Sequence, residues 1–264
     1  MNVRLSQIIG KPVFNITNNT KDFMYTKIRD CDYDAAFAAV DLTSIIKQFH
    51  KWTQFLPNVK PFYAVKCNPD PCVLRLVSAL GGNFDCATQG EIDLVLNGLG
   101  DFCVAPNQIV YANPQKMDKH LEFALNSRVG LTVIDGEDEL IKMAKLGCPG
   151  KMSVLIRIAT DDKDSVCRFS KKFGCFPKDA PRLLELAKSL GIDVRGVSFH
   201  VGSGCGDPQA YVTALKDTRS IFDAAKALDM PALKIVDLGG GFPGSDDYSL
   251  SRGLPTFKEL ANAI

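Results

Sequence analysis

A repeat of a short strand followed by a longer helix is the feature that most constrains how this chain folds. Between residues 61 and 241, short apolar, β-branched segments alternate with segments of helical periodicity. Strict alternation of this kind favours parallel strands joined by right-handed helical crossovers. The predicted strands are PFYAVK (61–66), NFDCAT (83–88), IVYAN (109–113), LTVID (131–135), SVLIRIAT (153–160), VRGVSFHV (194–201) and KIVDLGGG (234–241).

This repeat predicts an α/β fold, a TIM-type (β/α)₈ barrel of which about seven βα units are present. Several of the helical segments end in Leu-Gly, a common signal for a helix terminus. An open parallel sheet is the alternative architecture. No segment after residue 241 reads as an eighth strand, so we expect an incomplete barrel domain over residues 36–264 and an N-terminal segment, residues 1–35, outside the repeat.

Charge and composition argue against several classes of protein. The formal net charge is +1, which gives no electrostatic case for nucleic acid or an anionic membrane. No apolar run approaches the roughly 20 residues of a membrane span, and the N-terminus lacks the pattern of a secretory signal. The nine cysteines are scattered without a Cys-x-x-Cys pair. We therefore expect no metal site or disulfide framework, and a cytoplasmic protein.

Polar residues collect where the predicted strands end. In a barrel of parallel strands the carboxyl ends meet at one mouth, and the active site lies there. A set of polar residues at successive strand ends therefore predicts a site. Its members are Lys66, Asp85, Thr88, Asn113, Asp135, Arg157, His200, Ser203, Gly239, Gly240 and Gly241.

Lys66 has two interpretations from its position alone. Its chain could extend to solvent and cover the rim of the barrel. Alternatively, a partly desolvated lysine favours its neutral amine, the form that attacks an aldehyde to make a Schiff base. Position does not separate the two.

The charged residues near strands 2 and 5 also have structural alternatives. The apolar neighbours of Arg157 indicate that its side chain is buried, so it should pair with a carboxylate or with a ligand oxygen. A structural pair with Asp85 would satisfy it. Glu91 could contribute to the same polar cluster. It could also simply occupy the first turn of a helix, where a carboxylate is favoured.

Two glycine-rich segments follow strands 6 and 7. His200 begins one of them, and the following Gly-Ser-Gly, which includes Ser203, would let the backbone approach an anion. A buried histidine that is merely part of the core is the alternative. Gly239–Gly241 do not match the G-x-G-x-x-G dinucleotide pattern. They predict either a phosphate-binding loop or a tight turn between strand and helix.

Seven motifs, in order between about residues 35 and 247, resemble those of the eukaryotic ornithine decarboxylases. These belong to the alanine-racemase-like decarboxylases, which depend on pyridoxal 5′-phosphate (PLP). The motifs are PFYAVKCNPDP, FDCATQGEI, YANPQK, LIRIATDD, CRFSKKFG, GVSFHVGSGC and DLGGGFPG.

The resemblance implies a role for each candidate residue. Lys66 matches the lysine that bonds the aldehyde of PLP, and His200 matches the catalytic histidine that stacks on the pyridine ring. Lys172 matches a lysine that forms a salt bridge across the family's homodimer. Ser203, Gly239, Gly240 and Gly241 match phosphate-binding positions, and Asp85, Glu91 and Arg157 match a polar cluster around the lysine and cofactor.

The resemblance also implies an activity and its alternatives. The reaction would be decarboxylation of L-ornithine to putrescine and CO₂, the first step of polyamine biosynthesis, in a homodimer that antizyme could bind. The alternatives are an inactive regulator like the antizyme inhibitors, or a lysine, arginine or other diamino acid decarboxylase. The family's C-terminal β domain has no counterpart here. We therefore expect the 264-residue chain alone to be inactive and prone to aggregate.

Overall fold

Seven parallel strands form one curled sheet in the order β1-β2-β3-β4-β5-β6-β7, so each strand lies beside its sequence neighbours. The structure is a computed structural model that describes residues 2–16, 19–30 and 36–264, without the side chains of residues 2–4. The prediction of an α/β barrel fold with seven strand units is confirmed. The strands are β1 Phe62–Ala64, β2 Asn83–Cys86, β3 Ile109–Tyr111, β4 Leu131–Ile134, β5 Ser153–Ile158, β6 Val194–Phe199 and β7 Ile235–Asp237.

Helices connect the strands and cover the outer face of the sheet. The described helices are α1 Asn2–Ile9, α2 Thr20–Asp30, α3 Leu42–Phe55, α4 Pro71–Ala79, α5 Gln89–Asn97, α6 Asp118–Asn126, α7 Glu137–Lys145, α8 Ala180–Ser189, α9 Gln209–Ala227, α10 Asp246–Ser251 and α11 Phe257–Ala261. None of the helices in the described ranges is long and apolar enough to cross a membrane.

The alternation of side chains along each strand builds two apolar layers. Val110, Val133 and Leu155 are buried together on the concave face, with Ile235 packed against them. The intervening strand residues, such as Ile156, belong to the larger core between the sheet and the helices. Because side chains alternate between the two faces of a strand, residues in phase with the concave layer point into the barrel.

The ends of the predicted strands differ from the observed ones. β1 ends at Ala64, and residues Val65–Cys67 form a 3₁₀ turn, so Lys66 follows the strand instead of closing it. β2 ends at Cys86, because Thr88 leaves the sheet to cap α5. After β7, where the sequence shows no eighth strand, the chain forms the short helices α10 and α11.

The first helix packs onto the barrel. Ile9 of α1 is buried with Cys72 and Leu76 of α4. α2, by contrast, buries none of its residues. The predicted domain boundary after residue 35 adjoins residues 31–35, which lie outside the described residues, and it stays a prediction.

Helix α3, which precedes β1, contacts the segment that follows β7. Gln48 Nε2 donates to the carbonyl oxygen of Pro243 at 3.0 Å, and Lys51 forms an ion pair with Asp246. Trp52 lies with its ring 5.0 Å from that of Phe242. These contacts connect the two ends of the curled sheet on the side of the cavity described next.

Candidate active site

A cavity of about 980 Å³ opens at the carboxyl ends of the strands. Most of the predicted site residues line it together with several aromatic rings. The lining includes Lys66, Asp85, Thr88, Asn113, Arg157, His200, Ser203, Gly239, Gly240, Gly241, Trp52, Phe169 and Phe173. Glu91, Asp135 and Lys172 are not among the lining residues. The strand-end residues therefore converge on one mouth, as their positions predict.

Lys66 reaches this cavity because the chain turns sharply after β1. Val65 is fully buried and anchors the 3₁₀ turn. Asn68 Oδ1 accepts from the backbone N–H of Asp70 at 3.1 Å, and Asp70 Oδ1 in turn caps α4 by accepting from Cys72 N–H at 2.8 Å. The Lys66 side chain is exposed to the cavity. A rigid turn thus presents an accessible amine to the centre of the site.

Asp85 is a deeply buried carboxyl beside that amine. Its side chain is on the concave face of the sheet, because Asp85 pairs with Val110 of the concave layer. Its Oδ1 has no hydrogen-bond partner among the described residues. Burial raises its pKa to about 6, with further increases from Asp237 and Glu91, while the charges of Lys66 and Arg157 pull in the opposite direction. An unpaired buried oxygen of this kind is costly unless a ligand or water occupies it.

His200 stands at the end of β6 as a neutral imidazole. Its Nδ1 accepts from the backbone N–H of Gly202 at 3.0 Å, so that nitrogen carries no proton. The ring of Phe169 meets it edge-on, with centroids 4.7 Å apart. Burial, together with the positive charges of Arg157 and Lys66, lowers the His200 pKa to about 4. A flat, uncharged ring therefore faces the cavity at neutral pH.

The glycine run after β7 lies against that imidazole. A Cβ at Gly240 would fall 2.8 Å from His200 Nε2, and one at Gly239 would fall 2.2 Å from the carbonyl oxygen of Phe199. Gly239 also has a φ of 63°, in the left-handed region that favours glycine. Glycine is therefore required here by close approach as well as by conformation.

Two site residues that the sequence reasoning missed hold this glycine run. Asp237 Oδ1 accepts from the backbone N–H of Gly239 at 2.9 Å, and Asp237 Oδ2 accepts from Ser198 Oγ at 2.8 Å. Both side chains point into the barrel from paired positions of β6 and β7. Side chains alternate between the two faces of a strand, so Ser198, two residues before His200, was expected to share its face. Asp237 pairs with Ser198 and therefore also points into the barrel.

Arg157 projects into the cavity from β5 and makes no ion pair in the described part of the chain. The structural pair with Asp85 that the sequence suggested is therefore absent from the described contacts. Instead, the guanidinium lies 4.8 Å from the centroid of the Phe173 ring. Its hydrogen-bond donors remain available to an oxygen-bearing ligand.

The remaining predicted residues occupy different surroundings. Glu91 lies in the first turn of α5, where its Oε2 accepts from the backbone N–H of Ala87 at 2.7 Å. Ser203 lines the cavity while its backbone exchanges two 3.0 Å hydrogen bonds with Cys167. Lys172 is exposed on the loop before α8. The functional roles predicted for these three residues stay predictions.

Comparison with protein families gives a match over residues 42–264 to the pyridoxal-binding domain of the pyridoxal-dependent decarboxylases. This match agrees with the predicted cofactor. Among curated relatives, ornithine decarboxylase of Mus pahari is 44% identical over 92% of this chain and 51% of its own length. The probable ornithine decarboxylase of Dictyostelium discoideum is 51% identical over 86% of this chain and 48% of its own length.

An antizyme inhibitor 2 from Xenopus laevis is also similar, at 43% identity over 88% of this chain and 48% of its own. The chain thus spans about half the length of the curated relatives it matches.

Solved structures of decarboxylases share the fold. A lysine/ornithine decarboxylase from Vibrio vulnificus, complexed with cadaverine, has a TM-score of 0.80 at 29% identity, covering 95% of this chain and 62% of that one. Lysine decarboxylase from Selenomonas ruminantium has a TM-score of 0.79 at 33% identity, covering 95% and 64%. Because of the matched domain, these relatives and the shared barrel, the chain belongs to the pyridoxal-dependent decarboxylases.

Proposed function

We propose that the protein containing this chain uses PLP to decarboxylate a basic amino acid, and that L-ornithine is the substrate, giving putrescine and CO₂. One observation carries this proposal. The amine of Lys66 opens into the same cavity as a glycine run, a neutral imidazole and an unpaired buried carboxyl. Each of these groups suits a different part of the cofactor.

The residues present fit the cofactor. The absence of a side chain at Gly240 lets the loop lie close to His200, and the backbone N–H groups of Gly240 and Gly241 could donate to a phosphate there. The unpaired Oδ1 of Asp85 offers an acceptor beside Lys66. Neutral His200 supplies a flat face for an aromatic ring, because a charged imidazolium there would be poorly solvated.

Bound PLP would act as an electron sink for the carbanion that forms when CO₂ leaves an amino acid. The residues of this chain would bind and orient the reacting groups. Lys66 would bond the cofactor's aldehyde carbon through its amine, with loss of water, and hold it until the substrate amine replaces it. Asp85 would hold a proton or accept a hydrogen bond beside that amine. Arg157 would donate hydrogen bonds to an anionic oxygen.

The similarity to ornithine decarboxylases at 44% and 51% identity supports ornithine as the substrate. Other substrates stay open, because a solved arginine decarboxylase from a Chlorella virus shares the fold with a TM-score of 0.76. An antizyme-inhibitor-like regulator is the second candidate, supported by the 43% identical relative. Retention of Lys66, Asp85, Arg157 and His200 favours the enzyme.

The assembly and location follow as part of the same proposal. A homodimer would place exposed Lys172 at the subunit interface, and antizyme would be a regulatory partner. The near-neutral net charge supports neither nucleic acid nor membrane as a partner. A cytoplasmic location agrees with the eight described cysteines, all of which are free thiols.

The first prediction tests the proposed covalent bond. The natural protein is incubated with PLP, reduced with borohydride, digested and analysed by mass spectrometry. We expect the peptide with Lys66 to gain the reduced cofactor, and Lys66→Ala to lose both this modification and the release of labelled CO₂ from L-ornithine. Lys60→Ala, which removes an exposed lysine just before β1, is the matched control.

Two results would contradict parts of the proposal separately. Absence of the modified Lys66 peptide in the wild-type protein would refute PLP attachment. A modified peptide with no CO₂ release from ornithine, lysine or arginine would instead support the regulatory candidate.

A further inference from the structure

A second lysine with no role in the proposed chemistry is buried behind the cavity. The Lys116 and Glu139 side chains are both 0% exposed, and Lys116 Nζ lies 2.9 Å from Glu139 Oε1. We infer that Lys116, paired with Glu139, is a positioning residue that joins the carboxyl ends of β3 and β4 and thereby fixes the wall of the cofactor cavity. This inference rests on the proposed PLP site and deepens it.

The ammonium of Lys116 combines one ion pair with hydrogen bonds to the backbone on both sides. Besides Glu139, it donates to the carbonyl oxygens of Asn113 and Val133, each at 2.9 Å. The ring of Tyr111 lies beneath it, with its centroid 5.6 Å from Nζ. A charged lysine can make the ion pair and donate both hydrogen bonds at once. Burial lowers the pKa of Lys116, while Glu139 opposes that change.

This position matters because β3 and β4 are joined by little backbone pairing. Their ladder has the single registered pair Tyr111 and Thr132, whereas β4 and β5 share four. Thr132 Oγ1 adds a bond of 2.8 Å to the carbonyl oxygen of Tyr111. Lys116 joins the same two strands beyond this pair, so side chains supply much of the connection that the ladder lacks.

The connection reaches the cavity in two directions. Asn113, whose carbonyl oxygen receives the ammonium, lines the cavity directly. Asp135 follows Val133 by two residues, and its Oδ2 accepts from the backbone N–H of Gly174 at 2.9 Å. Gly174 adjoins Phe173, which packs on Arg157. Movement between β3 and β4 would therefore shift both the cavity wall and the aromatic contact of Arg157.

The decisive variant separates stability from positioning. Replacing both partners of a buried ion pair by apolar residues is often close to neutral for stability, whereas removing one leaves a buried charge. Lys116→Met/Glu139→Leu should therefore keep a higher thermal midpoint than Lys116→Met alone, while losing the bonds to Asn113 and Val133. Lys142, which also pairs with Glu139, is partly exposed and can turn to solvent. Lys145→Met, at an exposed position of α7, is the matched control.

Three measurements on the natural protein test the inference. In the double variant we expect the Kd for PLP to rise about ten-fold, which corresponds to about 1.4 kcal/mol. Amides of Asn113, Gln115 and Lys116 and of residues 133–136 should exchange hydrogen faster. Because coupling between sites is reciprocal, saturating the wild-type protein with PLP should slow exchange at the same two segments. Hydrogen exchange of the wild-type protein with PLP needs no variant, so it tests the inference even if the double variant does not fold.

The inference is overturned if PLP leaves exchange at both segments unchanged in the wild-type protein. It is also overturned if the folded double variant binds PLP within two-fold of the wild type. A wild-type protein that binds no PLP would instead refute the proposed function, and the exchange rates of the folded double variant would still test whether Lys116 fixes this wall.

Discussion

The carboxyl of Asp85 shows how the fold sets the charge of one residue. Its pKa is 3.8 when unperturbed and rises to about 6 in the folded chain, chiefly through burial. The folded state therefore binds this proton more tightly than the unfolded state does. The resulting stabilisation is fully present below the unfolded pKa and is lost as pH rises through the folded value.

Asp85→Asn should remove this pH dependence. As pH rises from about 4 to 7, the variant should gain in free energy of unfolding relative to the wild type, approaching about 3 kcal/mol for a shift of about two pKa units. Urea denaturation of both cofactor-free proteins at several pH values measures the difference. Asp223→Asn, at an exposed position of α9, is the control. A gain that does not change with pH would argue against burial as the cause.

Sequence reasoning found the residues whose signal is local. Lys66 and His200 follow apolar strands, and three consecutive glycines are conspicuous in any sequence. Phe169 escaped prediction because the loop between β5 and α8 folds back toward His200, with Asp162 accepting hydrogen bonds from the backbone N–H groups of Phe169 and Ser170. Such placement depends on how a long loop folds back, which periodicity does not encode.

The close approach of the glycine run after β7 to His200 can be tested by adding one methyl group. Gly240→Ala would place a Cβ 2.8 Å from His200 Nε2, whereas a Cβ at Gly244 would have nothing within 4 Å. Neither glycine has a positive φ, so backbone strain does not distinguish them. We expect Gly240→Ala to weaken PLP binding at least ten-fold, about 1.4 kcal/mol, and Gly244→Ala to leave it within two-fold.

Fluorescence or absorbance titration with PLP gives both affinities, and the thermal midpoint shows that each variant folds. Equal affinities for the two alanine variants would mean that close approach of the loop to His200 does not shape the binding site.

All seven strands were predictable because each is short, β-branched and followed by a helical segment. Their ends were harder to predict. PFYAVK reads as a continuous strand, but hydrogen bonding stops at Ala64 and the turn is set by tertiary packing of Val65. The link between β3 and β4 by Lys116 was missed because the lysine follows a strand by several residues and reads as a surface residue.

The whole molecule has two sheet edges in its described part. β1 and β7 each pair with only one neighbour, and Val236 of β7 is exposed on the outer face. Exposed edges with apolar side chains promote pairing between molecules. We expect the 264-residue chain, expressed alone, to self-associate, and Val236→Lys to reduce this because a lysine at an edge disfavours further pairing.

Size-exclusion chromatography with light scattering measures the effect. Thr213→Lys, on partly exposed α9 away from either edge, controls for added charge alone. A monodisperse monomer for the unmodified chain would contradict the expected role of the edges.

The contacts of α3 with the segment after β7 join residues 195 positions apart in the chain. Contacts over such a separation form late, since the intervening chain must first be ordered. During synthesis on a ribosome, α3 and the turn bearing Lys66 emerge before the segment after β7, which α3 contacts. The contacts of α3 at the mouth of the cavity therefore form only after translation has passed Asp246, and a nascent chain that stalls earlier carries Lys66 without the segment after β7.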